Sequence, residues 1–178
     1  MSTISALQDG LLQVMQQQRS RFYGKFRAIV TDNNDPEQQG RIRVKVPEVF
    51  QDEETGWAMP SVPFAPPSHG MLALPEIDSN VWVEFEAGDP SRPIWTGCWW
   101  PSGKAPSISS PAVKIFETAE GNRITWDDTS GSEAITIQDK NGATITLNQQ
   151  GIELTKGGMS IKVTDTQISI NDGALTVT

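Results

Sequence analysis

The sequence predicts an all-β protein in which a small closed barrel precedes a region of short repeated strands, with one short helix in front. Turn-forming residues are frequent, with 15 glycines and 12 prolines among 178 residues. Between the turns, apolar and polar residues alternate with the period of two that turns one face of a strand towards a core. Apolar residues make up 37% of the chain and recur in regular groups almost to its last position, so their modest share does not indicate disorder.

Charge and composition narrow the possible functions. The formal net charge is −8 with only 14 Lys and Arg residues, so nucleic acid is not an expected partner. The single cysteine, Cys98, excludes a disulfide within the chain and fits folding in a reducing compartment. No signal-peptide pattern is evident, and no apolar stretch approaches the roughly 18 residues of a membrane span. We therefore expect synthesis in the cytoplasm.

Residues 1–20 predict an amphipathic helix. Ile4, Leu7, Leu11 and Val14 fall near helical spacing, and several glutamines occupy other positions. The helix either packs on its own domain, docks onto a neighbouring subunit or frays in the isolated protein.

Residues 21–100 predict the barrel. The segment 32–40 (DNNDPEQQG) is a turn, and 41–46 (RIRVKV) alternates basic and aliphatic residues as a half-buried strand does. The other strand candidates are 23–30, 56–59, 71–74, 80–86 and 93–99. Closure into a barrel removes exposed strand edges. Residues 101–111, rich in Pro and Ser, form a linker.

Residues 112–178 repeat an apolar–polar–apolar triplet. A first triplet occupies 124–126, and from Ile135 onward the triplets start 10, 7, 9, 7 and 7 residues apart, mostly with turn residues between them. Both apolar residues of a triplet point to the same face of a strand. Such a short period is typical of a solenoid or a fibre. The predicted core residues are Ile135, Ile137, Ile145, Leu147, Ile152, Leu154, Ile161, Val163, Ile168, Ile170, Leu175 and Val177.

One copy of this region offers an apolar face and nothing to cover it. Burial of each Val, Leu or Ile side chain is worth about 1.5–3 kcal/mol, so a dozen exposed ones favour a partner. Three copies wound about one axis, with apolar faces inward and strands paired between neighbouring chains, meet this need. A single-chain hairpin stack or β-solenoid is the alternative, although single-chain solenoids generally use longer coils.

Several motifs occur together in one order. They are 40–47 (GRIRVKVP), 57–61 (WAMPS), 74–78 (LPEID), 81–85 (VWVEF), 86–94 (EAGDPSRPI) and 96–100 (TGCWW), followed by 121–128 (GNRITWDD). In this order they resemble the OB-fold domain and attached β-helix of contractile-injection spike proteins. That family includes phage baseplate assembly protein V and the VgrG spikes of type VI secretion.

The resemblance implies a structural, non-enzymatic homotrimer: an OB-fold barrel at 21–100 followed by an intertwined trimeric β-helix at 112–178. It implies a virion baseplate or injection particle, a hub protein at the barrel end and a needle that pierces a target membrane. Some spikes carry a lysozyme domain, for which the linker leaves no room, and some close the needle with a His-x-His iron site. Here the only histidine is His69 and no polar cap follows Leu175, Val177 and Thr178. We therefore expect these three residues to contact a separate tip protein of the PAAR type, and we expect no cofactor, metal or catalytic residues.

Other residues suggest chemistry less strongly. The pair Asp127 and Asp128, or Glu84 and Glu86, could serve glycoside hydrolysis in a cell-wall hydrolase, although turn and strand roles explain them better. His69 is expected to be a loop residue and Cys98 a small buried one.

The tryptophans leave a further alternative open. The group Trp57, Trp82, Trp95, Trp99 and Trp100 favours core packing or a subunit contact. The alternative is an OB-fold module that binds an oligosaccharide or single-stranded nucleic acid.

Overall fold

The computed structural model describes residue 8, residues 10–12, residue 15 and residues 20–177. The chain divides into two compact units, Met1–Ala105 and Pro106–Thr178, and strands dominate both, which confirms the all-β class. Residues 8, 10–12 and 15 are helical; the rest of the helix predicted within 1–20 lies outside the described residues. Across the described ranges, no helix is long and apolar enough to cross a membrane.

The first unit is a five-stranded OB-like sheet. Its elements are β1 (Phe26–Asp32), β2 (Arg43–Lys45), the short helix α1 (Pro47–Phe50), β3 (Met59–Pro60), β4 (Asn80–Phe85) and β5 (Pro93–Cys98). The strand order is β2-β1-β4-β5-β3, and β3 pairs with β5 in parallel. The two ends of the sheet meet where Ile42 and Ala58 exchange backbone hydrogen bonds of 3.2 and 2.8 Å. This bridge closes the sheet on itself.

Alternation along these strands builds a core inside the unit. In β4, Val81, Val83 and Phe85 are buried while the residues between them are not. Phe22, Phe26 and Phe50 pack around Phe85, with ring centroids 5.5–6.1 Å from it. The buried cluster consists of Ala28, Val30, Ile42, Val44, Val46, Ala58, Val81, Val83, Phe85 and Trp95.

A buried carboxylate organises the turn between β1 and β2. Asp35 accepts hydrogen bonds from the backbone N–H groups of Glu37, Gln39 and Arg41, at 2.7–3.2 Å. The guanidinium of Arg41 lies 2.6 Å from the same carboxylate and holds the pKa of Asp35 well below its usual value. The turn predicted at 32–40 is therefore held in place by one side chain.

The segment between β3 and β4 differs from the prediction. Residues 71–74 are a loop and not a strand. The N–H of Met71 donates to the carbonyl of Phe64 at 3.2 Å. The neighbouring residues Pro63, Pro66 and Pro67 have no N–H to give to a ladder, so the stretch that receives this bond cannot serve as a regular strand partner for 71–74.

The second unit is one eight-stranded antiparallel sheet. Its strands are β6 (Val113–Glu117), β7 (Arg123–Asp127), β8 (Ala134–Gln138), β9 (Ala143–Asn148), β10 (Gly151–Lys156), β11 (Met159–Val163), β12 (Ile168–Ile170) and β13 (Leu175–Val177). Each strand pairs with the next one along the chain. The prediction placed strand pairing between neighbouring chains; here the short turns return the chain beside the strand it has just made. The contact between chains therefore has to come from the faces and sides of the sheet.

Candidate functional site

Two continuous apolar rows cross one face of the second sheet. Cross-strand register puts Ile145 opposite Ile137 and Leu154, and puts Leu147 opposite Ile135 and Ile152. The first row contains Phe116, Ile124, Ile137, Ile145, Leu154, Ile161, Ile170 and Leu175. The second row contains Trp126, Ile135, Leu147, Ile152, Val163, Ile168 and Val177. All twelve predicted core residues lie in these rows.

Within one chain this face is open. Eleven of the twelve predicted residues are between 37% and 58% exposed, and Ile170 is half-buried. Beside Leu154 and Ile161 the face borders a cavity of about 550 Å³. A contiguous apolar surface of this kind marks an interaction site in a soluble protein.

The prediction missed members of the rows at their beginning. Phe116 and Trp126 are exposed on the same face, and Ile124 lies between them. The apolar–polar–apolar triplet at 124–126 is the pattern in the sequence that predicts β7. The triplet of β6, Val113, Lys114 and Ile115, turns its apolar residues to the opposite face, so Lys114 and Phe116 take the positions opposite Trp126 and Ile124. The amine of Lys114 lies 2.7 Å from Asp128.

The opposite face is polar and internally paired. The amine of Lys162 lies 3.4 Å from Glu153 on β10 and 2.8 Å from Asp172, and hydrogen bonds to these carboxylates raise its pKa. The hydroxyls of Thr144 and Thr155 hydrogen-bond across β9 and β10. Cross-strand pairs of this kind stabilise a sheet by about 0.2–1 kcal/mol each. This face needs no partner, unlike the apolar one.

Strand length favours three copies around the apolar face. Strands of five residues, such as β8 and β11, span about 17 Å at 3.3 Å per residue. A triangle with sides of about 17 Å has its centre about 5 Å from each side, and packed sheets also lie about 5 Å from the middle of their shared core. In a square of four copies each sheet would lie about 8 Å from the centre, which leaves a void. Two sheets alone would leave the core open at both sides.

The residues predicted to contact a tip protein lie at one side of the sheet. β13 pairs with β12 and has no strand on its other side among the described residues. Leu175 and Val177 are 57% and 58% exposed, and Thr178 lies outside the described residues. An unpaired strand of this kind can accept another chain.

The paired carboxylates have structural partners. The hydroxyl and the backbone N–H of Thr129 hydrogen-bond to Asp127 and lower its pKa, whereas a general acid needs a raised pKa. Asp128 is paired with Lys114. Glu84 lies 2.9 Å from the amine of Lys25, and Glu86 pairs with an arginine on the following turn.

The remaining predicted side chains lie apart from one another. The Nδ1 atom of His69 lies 3.0 Å from the carbonyl of Pro67 in an exposed loop. Where the structure describes the chain, no group of three His, Cys, Asp or Glu residues could hold a metal ion. Cys98 is exposed and not buried as expected; it is the last residue of β5 and pairs with Val81 of β4.

The tryptophans divide between the core and the outer surface. Trp95 is buried and donates its indole N–H to the carbonyl of Gly40 at 3.1 Å. The guanidinium of Arg27 lies over Trp99 and Trp82, at 4.8 and 5.9 Å from the ring centroids. Since an arginine already covers these rings, they are poorly placed to stack on a base or a sugar.

An OB-like barrel followed by a sheet with an uncovered apolar face defines a class of assembling structural proteins. Residues 26–100 match the model of the type VI secretion system/phage-baseplate injector OB domain. Residues 112–176 match the phage baseplate V C-terminal trimerisation domain. The chain therefore belongs to the baseplate V family of injector spike proteins, and the trimerisation domain supports a homotrimer.

Named relatives come from two bacteria. The chain is 29% identical over 111 residues to the actin cross-linking toxin VgrG1 of Vibrio cholerae, which covers 56% of the chain and 10% of that protein. It is 27% identical over 110 residues to the type VI secretion system spike protein VgrG3 of Vibrio cholerae, covering 55% of the chain and 11% of that protein. It is 28% identical over 116 residues to spike protein VgrG2a of Pseudomonas aeruginosa, covering 58% of the chain and 14% of that protein. The chain thus spans only a small part of the length of these relatives.

Proposed function

We propose that the chain is the homotrimeric central spike of a contractile phage tail or a related injection particle. On this proposal residues 21–100 are the barrel, 101–111 the linker and 112–178 the needle, with 1–20 as a helix in front. The observation that carries it is the pair of apolar rows, one across all eight strands and one across seven, in a chain that bears a trimerisation domain. Three copies bury these rows, and separating any one chain exposes its whole strip to water.

The mechanism is mechanical. Three sheets closed around a shared apolar core, with every inner strand paired on both sides within its own chain, resist bending because interiors are close-packed. Force applied at the barrel would pass along this rod to a target membrane, and a hub protein would hold the barrel end. The exposed strand β13 would carry a tip protein of the PAAR type at Leu175, Val177 and Thr178.

A structural role requires no catalytic group. The lowered pKa of Asp127 and the ion pairs of Asp128, Glu84 and Glu86 support this part of the proposal. The activity named for VgrG1 belongs to that much longer protein.

Light scattering coupled to size exclusion tests the proposal. We expect three times the mass of one 19.5 kDa chain. A single-chain mass at micromolar concentration would overturn it. Co-purification of the assembled protein with a PAAR-type protein tests the tip contact separately, and a trimer that retains no such protein would contradict that contact.

A further inference from the structure

The two sides of the second sheet differ in charge. Here the sides are the two ends of the strands, and successive hairpin turns lie at alternate ends. The end that we call the acidic edge contains the turns 128–133, 149–150 and 164–167. The end that we call the mixed edge contains the turns 118–122, 139–142, 157–158 and 171–174. Every charged residue in the turns of the acidic edge is a carboxylate, namely Asp128, Glu133 and Asp165. The mixed edge has Lys140 in a turn and Lys156 at the end of β10, beside the carboxylates Glu120, Asp139 and Asp172.

Several of these charges lie next to the ends of the apolar rows. Lys156 belongs to β10 and lies two residues after Leu154, so the two side chains share a face. Glu133 lies in the turn directly before β8, two residues before Ile135. Asp165 lies in the turn after β11, two residues after Val163.

Two carboxylates of the acidic edge have no cation within their own chain. Among the described residues, no Lys or Arg nitrogen lies within 4.0 Å of Glu133 or Asp165, whereas Asp128 has Lys114. Glu133 accepts hydrogen bonds only from the side chain of Gln149 and the backbone of Gly131 in that part of the chain.

Both lysines of the mixed edge have donors to spare. The amine of Lys140 lies 2.6 Å from Glu120, and that of Lys156 lies 2.9 Å from the carbonyl of Asn141 and 3.9 Å from Asp139. Each ammonium has three donors, and both side chains are about half exposed. Each ammonium can therefore donate a hydrogen bond to a further carboxylate while it keeps its present partner.

A threefold arrangement brings the two edges together. In a cyclic trimer the contact is heterologous, so the mixed edge of one copy faces the acidic edge of the next. The strands are stacked along the threefold axis, and rotation about this axis does not shift a residue along it. Residues of two copies therefore meet when they lie on the same strand or on neighbouring strands of the stack. Lys140 and Glu133 lie at the same height, because Lys140 follows β8 and Glu133 precedes it. Asp165 follows β11 and Lys156 ends β10, so this pair differs by one strand, a step of about 4.8 Å.

We propose that Lys140 and Lys156 of one copy pair with Glu133 and Asp165 of the next copy at the corners of the trimer. The inference rests on the proposed trimer and names the contacts that seal its corners. Without the two lysines, both edges would present carboxylates to each other, and like charges at close range repel. The apolar rows drive association, while the edges fix which side of each copy meets which.

Subunit exchange between mass-tagged copies, followed by native mass spectrometry, tests the proposal. The double variant Lys140→Glu/Lys156→Glu should exchange at least about tenfold faster than the unchanged protein at low salt, since its six corner pairs become repulsive. Adding Glu133→Lys/Asp165→Lys in the same chain should restore slow exchange. The matched control is Lys45→Glu/Lys104→Glu in the first unit, which makes the same change in net charge and should leave exchange unchanged.

The outcomes separate this inference from the proposed function. Rescue supports the corner pairs, because neither Glu133 nor Asp165 is a partner of these lysines within one chain. Fast exchange without rescue, or unchanged exchange in the first variant, overturns the inference while the trimer stands. A protein that is a single chain from the outset overturns the proposed function itself. Should the fourfold variant fail to fold, the double variant Glu133→Gln/Asp165→Asn provides the test. It must exchange subunits faster than the unchanged protein, and high salt must reduce the difference between the two exchange rates.

Discussion

The two units use the same alternation of apolar and polar residues and reach opposite results. In the barrel, Val81 and Val83 are fully buried because the sheet closes where Ile42 meets Ala58. In the second unit, Ile135 and Ile152 alternate just as regularly but are 41% and 42% exposed. The difference is closure: a barrel covers its own apolar face, while a narrow antiparallel sheet with two apolar residues per strand cannot. The first unit therefore has a complete core within one chain, whereas the second unit contributes one of three faces to a core shared between copies.

The largest expected effect comes from a charge in the open face. Ile152→Asp should abolish the trimer, because three unpaired carboxylates would enter the shared core at several kcal/mol each. The barrel should keep its fold, since none of its residues changes. Light scattering measures the mass, and Thr136→Asp on the polar face is the control that should stay trimeric. A trimeric Ile152→Asp variant would show that the rows are not the shared core.

A cavity in the closed core should act differently. Ile42→Ala should destabilise the barrel by about 2–5 kcal/mol, because it removes a fully buried side chain at the point of closure. Assembly should persist. Urea unfolding followed by tryptophan fluorescence reports the barrel, which contains Trp95 in its core. Loss of the trimer in this variant would contradict the separation between the two units.

A backbone contact in the second unit gives a smaller, local effect. Gly151 has φ of +131°, and a Cβ there would overlap the carbonyl oxygen of Val163. Gly142, with φ of +79° in another turn, has no atom near an added Cβ. Gly142→Ala should cost about 1–2 kcal/mol for the left-handed backbone alone, and Gly151→Ala should cost more. Thermal unfolding of both variants gives the comparison, and equal losses would argue against the close approach at Gly151.

The last expected effect depends on pH and tests the barrel alone. Because the pKa of Asp35 is depressed in the folded chain, its stabilising effect is fully present above the usual value of 3.8. The effect is lost as the pH falls towards the lower folded value. Asp35→Asn should therefore lower the melting temperature at neutral pH, and the difference from the unchanged protein should shrink as the pH falls below 3.8. A difference that stays constant on acidification would show that the carboxylate charge is not the cause.

Sequence patterns predicted most of the strands and one face of the second sheet. They failed where the deciding interaction is not local. Residues 71–74 have strand-like composition, yet they form a loop in which Met71 is bonded to the carbonyl of Phe64 and not to a strand of the sheet. Phe116 was missed because the triplet of β6, at 113–115, lies on the other face, and the place of Phe116 in the row is visible only from the register with Ile124. Between Trp95 and Cys98, β5 has one residue more than β4 has between Val83 and Val81, and no pattern in the sequence records this bulge.

Alternation with a period of two specifies which side chains share a face, because successive residues of a strand point to opposite sides. The sequence therefore established the open apolar rows and the need for a partner. Tertiary structure settled which strands pair, since register and strand order depend on turns and on backbone hydrogen bonds between distant residues. That pairing lies within each chain, so the interaction between copies falls to side chains: the apolar rows inside, and the charged edges at the corners.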